Sequence, residues 1–214
     1  MGQSNVNQSP ILIAGPSRSG TTLLAGLLGK HGVWIGRGTP TKYPETNPNF
    51  VSENQDIKFV FKQAAKKEGY INWRAPIPYM NGAYLEKEDI EQFVPGGKRW
   101  LIKTSWNLIF AAVLKDWYPN AFWILPWRNK ELILDSMNRH PGMAKRSDEV
   151  KGKVICYLQS MEKEIFAKSQ YAIFSDTKAV SQKKEGELVK LFGFVGIKPD
   201  WSVIDEWIQP EIMK

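Results

Sequence analysis

The stretch ILIAGPSRSGTTLLAGLL, residues 11–28, sets four residues between Gly15 and Gly20. Those four are Pro16, Ser17, Arg18 and Ser19, and Thr21 and Thr22 follow directly. In a glycine-bounded loop of this length, successive backbone N–H groups converge on one point and form an anion cradle. A helix beginning at Thr21 adds the positive end of its dipole, and the two threonines add hydroxyl donors. Arg18 supplies a cation from inside the loop. The chemistry this pattern suits is the holding of an oxyanion. A tight strand-to-helix turn would use the same glycines but would have no use for the arginine.

Two residue types are missing where a nucleotide triphosphatase needs them. Such an enzyme carries Lys after the second glycine to reach the β/γ-phosphates, and an Asp closing a later strand to hold magnesium. Here Thr21 follows Gly20, and the later apolar run FWILPWR ends in Arg128. The loop is therefore expected to take a lone 5′-phosphate with its attached group, without a metal. A small-molecule kinase of the P-loop type stays as the alternative enzyme. Two further groups have chemistry to offer. Arg128 can present a planar fork to phosphate, and Ser136, eight residues on, a hydroxyl. In LIKTSW, residues 101–106, Lys103 closes an apolar run as a second fixed cation.

These residues need a scaffold, and the hydrophobic pattern provides one. Ile11–Ala14, Trp100–Thr104, Phe122–Trp127 and Tyr171–Ser175 are short apolar runs, the mark of strands buried on both faces. Between them lie helical patterns over 21–31, 53–67, 107–118, a segment from about 129, 147–168 and 187–192, with a short one near 86–93. Strand and helix alternate, which implies parallel crossovers. The expected fold is α/β: a three-layer, P-loop-like domain with a central parallel β-sheet flanked by helices. No repeat or linker divides the chain, so 1–214 reads as a single domain with a polar, frayed segment at 1–9.

Composition narrows the class. A hydrophobic fraction of 43% and nine tryptophans fit a globular chain long enough for one full core. No apolar run approaches the ~20 residues of a membrane helix. MGQSNVNQSP has neither the basic nor the apolar region of a signal peptide, and Val6 stands where a myristoylation motif wants Ser or Thr. The lone Cys156 excludes an internal disulfide and a thiolate zinc site. With Val154, Ile155 and Leu158 around it, it reads as a buried helical thiol, and the compartment as reducing and cytoplasmic. The net charge of +7 calls for an anionic partner. No zinc-finger, RNA-recognition or helix-turn-helix pattern accompanies that charge, so neither nucleic acid nor membrane is expected. Nothing in the sequence sets an oligomeric state.

GPSRSGTTLL resembles the 5′-phosphosulfate loop of the sulfotransferase superfamily, P-[KR]-S-G-T-T. FWILPWRNKELILDSMNRH resembles that family's second element, a strand ending in Arg and a helix bearing Ser eight positions later, which together hold a 3′-phosphate. The resemblance implies that the chain binds 3′-phosphoadenosine 5′-phosphosulfate (PAPS) through Pro16–Thr22, Arg128 and Ser136, and releases the 3′,5′-bisphosphate (PAP). It implies transfer of a sulfonate group to a hydroxyl or amine of a glycan or small molecule, with no metal. LIKTSW resembles the Lys-Thr-His of the cytosolic branch. That assigns Lys103 and Arg18 to the transferring group, but puts Ser105 in the place of the histidine base. NPNFVSENQDI is similar to a segment of the bacterial and carbohydrate-directed branch in which a Glu is the base. Glu53 is thus the expected base, with Glu45 and Asp56 as alternates, although the segment lacks the family's usual glycine. Phe174 corresponds to an aromatic of the adenine pocket. No late R-K-G loop is found. With Ser105 and that missing loop, a non-catalytic nucleotide-binding relative is the other alternative. His31 and His140 read as structural. Trp34, Tyr43, Phe50, Tyr70, Trp73, Tyr79 and Tyr84 crowd the region where an acceptor would bind.

Overall fold

Four apolar runs build the frame of the computed structural model, which describes residues 9–36, 54–69 and 80–208. Strands β1 (Ile11–Ile13), β2 (Leu101–Lys103), β3 (Phe122–Trp127) and β4 (Ala172–Asp176) form one parallel sheet in the order β2-β1-β3-β4. Ile11 pairs with Leu101 on one side and Phe122 on the other, and the whole of β1 is buried. A strand covered on both faces has no solvent side for polar residues, hence its unbroken apolar sequence.

The two faces of the sheet feed separate cores. Leu12, Ala14, Ile102, Trp123 and Leu125 pack into one layer with α2 (Gln55–Lys67), α4 (Trp106–Ile109), α5 (Ala111–Trp117) and α7 (Asp148–Lys168). The alternate residues Ile11, Ile13, Leu101, Phe122 and Ile124 pack with α1 (Thr21–Lys30), α8 (Thr177–Ser181), α9 (Glu185–Phe194) and α10 (Trp201–Trp207). Two further helices complete the chain order. α3 (Lys87–Glu91) adds Ile90 to the first core, and α6 (Lys130–Asn138) packs on α7 through Ile133, Met137 and Ile155. Helices on both faces of a parallel sheet make the expected three-layer arrangement.

The strand order fixes where a ligand can lie. From β1 the chain passes to β2 on one side, then crosses back to form β3 on the other. The connections that leave β1 and β3 run to opposite faces of the sheet, through α1 and α6, and so leave a crevice outside their C-terminal ends. In open parallel sheets that switch point is the usual binding place.

Several boundaries differ from the sequence reading, each for a local reason. The second helix begins at Gln55 because the Asn54 side chain accepts the Asp56 and Ile57 amides and caps it there. Asn129 and Ser147 likewise cap α6 and α7 through the Glu131 and Val150 amides. The helix expected over 107–118 breaks at Phe110, whose fully buried ring stacks on Phe61 at 5.4 Å. The short α8 and α10 carry no helical pattern in the sequence, because each buries one apolar side chain, Val180 and Ile204. Cys156 is a correction. It is exposed, since helical rotation turns it away from the buried Ile155, Leu158 and Met161. Among the described residues, no helix is long and apolar enough to cross a membrane.

Candidate active site

The loop after β1 is shaped by two left-handed residues. The Pro16 carbonyl accepts both the Ser19 amide at 3.2 Å and the Ser19 hydroxyl at 2.7 Å, closing a turn with Ser19 fully buried. Arg18 has φ 71° and Gly20 φ 101°. A non-glycine residue held at positive φ is strained, and such strain gathers at ligand-binding loops. Residues turned this way point consecutive N–H groups into one concavity. Gly20 is obligatory on a second count: a Cβ there would lie 2.7 Å from the Thr177 side chain. α1 then starts at Thr21 with no side-chain cap and no acidic residue in its first turn. Neither a cap nor a first-turn carboxylate therefore neutralises that positive helix end.

Three distant segments converge on this loop. Arg18 Nε donates to Ser136 Oγ at 3.0 Å across 118 residues, and Arg128 donates from Nη1 to the Arg18 carbonyl at 3.0 Å. Ser136 is buried in α6, while Arg128 is half-buried just past the end of β3. Lys103, the last residue of β2, donates from Nζ to Thr22 Oγ1 at 3.2 Å. Every expected cofactor-binding residue, and Lys103, thus gathers at the C-terminal ends of β1, β2 and β3. Glu53 and Glu45 lie outside the described residues. Asp56 is exposed in the first turn of α2. Of the acceptor-side aromatics, Trp34 and Tyr84 are described: Trp34 forms a bridge to Trp100, and Tyr84 is exposed.

Four supporting residues were not anticipated. Asn107 Nδ2 donates to the Ile13 and Ile102 carbonyls, both at 3.0 Å, and clamps the ends of β1 and β2 together. Gln159 donates to the Arg128 carbonyl at 3.1 Å. The Thr177 hydroxyl lies 2.9 Å from the Ser19 carbonyl and 3.1 Å from that of Trp127, and its single proton serves one at a time. Glu162, only 2% exposed, sits under the first glycine of the loop. A Cβ on Gly15 would meet its Oε1 at 2.9 Å and Pro126 at 2.4 Å. Oε1 has no hydrogen-bond partner among the described residues, and burial pushes the carboxyl up to about 9. At neutral pH it carries no charge to oppose an anion above it. Its spacing from Leu158 and Ile165, four and three residues away, was the signal that it falls on the buried face of α7.

The arginines at the site act on one another. Burial lowers the Arg18 guanidinium pKa, and Arg128 and then Arg139 lower it further. Burial and then Arg139 lower that of Arg128, with Asp135 acting the other way. Arginine keeps its proton under such pressure. Three like charges thus oppose one another here, with the Asp135 carboxylate acting the other way on Arg128, and an anion would stabilise the arrangement. Asp176 ends β4, but its Oδ1 accepts the Lys178 and Ala179 amides and caps α8. His31 is structural: Nε2 accepts the Asp200 amide at 3.0 Å, so Nδ1 donates to the Leu27 carbonyl at 2.7 Å. His140 Nδ1 accepts the Gly142 amide. Phe174 packs against Phe166 and Trp127, with ring centroids at 4.9 and 6.2 Å, and both partners are substantially exposed.

The model of the Sulfotransferase family matches residues 10–163, a span that contains the loop, Lys103, Arg128 and Ser136. The chain belongs to the sulfotransferase family. Among solved structures, this sulfotransferase is similar to sulfotransferase STF1 from Mycobacterium tuberculosis H37Rv. That match has a TM-score of 0.57 and 15% identity, and covers 94% of this chain and 70% of the other. Sulfotransferase STF9 from Mycobacterium avium matches with a TM-score of 0.52 and 11% identity, covering 94% of this chain and 67% of the other. At such identities these likenesses concern the fold. No curated protein matches.

Proposed function

We propose that this sulfotransferase moves a sulfonate group from PAPS to a hydroxyl or amine of a glycan or small molecule. The observation that carries the proposal is the Arg18–Ser136 hydrogen bond at 3.0 Å. It joins a loop suited to a 5′-phosphate with a strand-end arginine and helix serine suited to a 3′-phosphate, as a doubly phosphorylated nucleotide requires. Pro16–Thr22 would hold the 5′-phosphosulfate, and Arg128 and Ser136 the 3′-phosphate. The donor supplies an activated sulfur–oxygen bond. The acceptor's oxygen or nitrogen forms the new bond to sulfur as the bond to the bridging phosphate oxygen breaks. The electron pair departs with PAP, and the acceptor's proton passes to Glu53. Lys103 and Arg18 stabilise the charge that builds on the bridging oxygen. Cations and backbone dipoles already neutralise the donor, so no metal is assigned. A cytoplasmic location is part of this reading, since a reducing compartment keeps an exposed thiol such as that of Cys156 free.

Thermal unfolding with adenosine 3′,5′-bisphosphate, 5′-AMP and Mg-ATP tests the donor assignment. At about a hundred times its Kd a ligand adds about 2.7 kcal/mol to native stability, a rise of roughly 5–10 °C in Tm for a chain of this size. A shift specific to the bisphosphate is expected. Stabilisation by Mg-ATP instead would move the protein to the kinases. Glu53→Gln then separates an enzyme from a binding protein: sulfonate transfer should fall by at least about a hundredfold with bisphosphate affinity retained. Unchanged turnover would remove Glu53 as the base.

A further inference from the structure

The Arg18–Arg128 pair has a third guanidinium beside it. Arg139 is the residue at which α6 ends, three positions after Ser136. Positions three apart on a helix share a face, so Arg139 is a neighbour of the hydroxyl that Arg18 contacts at 3.0 Å. Its charge is felt by both Arg18 and Arg128. Its side chain is more than half exposed and is held one turn back by Asp135, with Nη2 donating to Oδ2 at 2.9 Å. An exposed ion pair of this kind contributes little to stability and exchanges readily for a better anion. A phosphate dianion in reach of Arg18 and Arg128 is such an anion, since it offers three acceptor oxygens where Asp135 offers two. Asp135 also acts electrostatically on Arg128, so one carboxylate bears on both Arg139 and Arg128.

We propose that Arg139 is a third cation of the 3′-phosphate site, parked on Asp135 and surrendered to the phosphate when the nucleotide binds. This rests on the donor assignment made above. It also gives the site a counter-charge in a chain that has no recognisable late R-K-G loop. Selectivity follows from the charge count: a nucleotide lacking the 3′-phosphate gains nothing from Arg139.

Titration calorimetry of the full chain with adenosine 3′,5′-bisphosphate and with 5′-AMP tests it. Arg139→Gln should weaken the bisphosphate by about tenfold, the loss of one charge-assisted hydrogen bond, and change 5′-AMP by less than about twofold. Arg139→Lys keeps the charge and should recover part of the loss. Asp135→Asn removes the competing carboxylate and should tighten the bisphosphate several-fold. Equal losses for both ligands in Arg139→Gln, or no loss for either, would overturn the assignment. If the unaltered protein fails to prefer the bisphosphate over 5′-AMP, the donor assignment itself is wrong and the role of Arg139 falls with it.

Discussion

At the scale of single residues, Glu162 is the side chain with the least obvious reason to be where it is. A carboxyl in the floor of an anion loop would be harmful if charged, and burial keeps it protonated up to about 9. In the unfolded chain a glutamate ionises near about 4.3. Between those two values the native state binds the extra proton. The stability it contributes is therefore fully present below the unfolded pKa and is lost as pH rises through the folded one, by about 1.4 kcal/mol per unit. Glu162→Gln keeps the shape and removes the titration. Relative to the unaltered protein, its unfolding free energy in urea should rise by at least about 2 kcal/mol from about pH 5 to about pH 9. Parallel pH profiles for the two proteins would mean that Glu162 ionises normally. Arg18 makes the complementary case: its charge was legible in the sequence, whereas its positive φ and its contact to Ser136 were not.

At the scale of elements, the loop and α1 work as one unit because Gly20 belongs to both. Its φ of 101° and the 2.7 Å approach of Thr177 leave no room for a methyl group. Gly20→Ala should cost about 1–3 kcal/mol through strain and abolish binding of the bisphosphate. Gly193 in α9 is the control, since a Cβ there meets nothing within 4 Å. Gly193→Ala should stabilise by about 0.5–1 kcal/mol through helix propensity, with binding unchanged, as chemical denaturation and calorimetry on both variants would show. If Gly20→Ala binds normally, the loop is less constrained than its geometry implies. Helix starts follow the same local logic. Asn54, Asn129 and Ser147 are N-caps recognisable by type, and each sets its boundary within a residue or two. The break at Phe110 had no such signal, because a ring buried against Phe61 outweighs a continuous helical pattern.

At the scale of the molecule, the strand order β2-β1-β3-β4 brings three cation-bearing segments to one crevice in a chain of net charge +7. Binding through such charges weakens as salt screens them. Raising ionic strength from about 0.1 M to about 1 M shortens the Debye length from about 10 Å to about 3 Å. The Kd of the bisphosphate should rise roughly tenfold over that range, and less steeply in Arg139→Gln. A Kd indifferent to salt would mean that the cations do not hold the ligand. The sequence by itself determined the α/β class, the strand positions, the phosphate-type loop with Arg18 and the strand-end motif of Arg128 and Ser136. These depend on residues a few positions apart: apolar periodicity, glycine and cap chemistry, and the dipole of a helix start. The tertiary structure alone decided that Arg18 meets Ser136, that Asn107 and Thr177 tie strand ends to the loop, and that Glu162 is buried beneath Gly15. A contact such as that of Thr177 with Ser19, 158 residues apart, is set by strand order and helix packing. The charge state of a carboxyl is set by the water that packing removes, and neither is encoded within any short stretch of the chain.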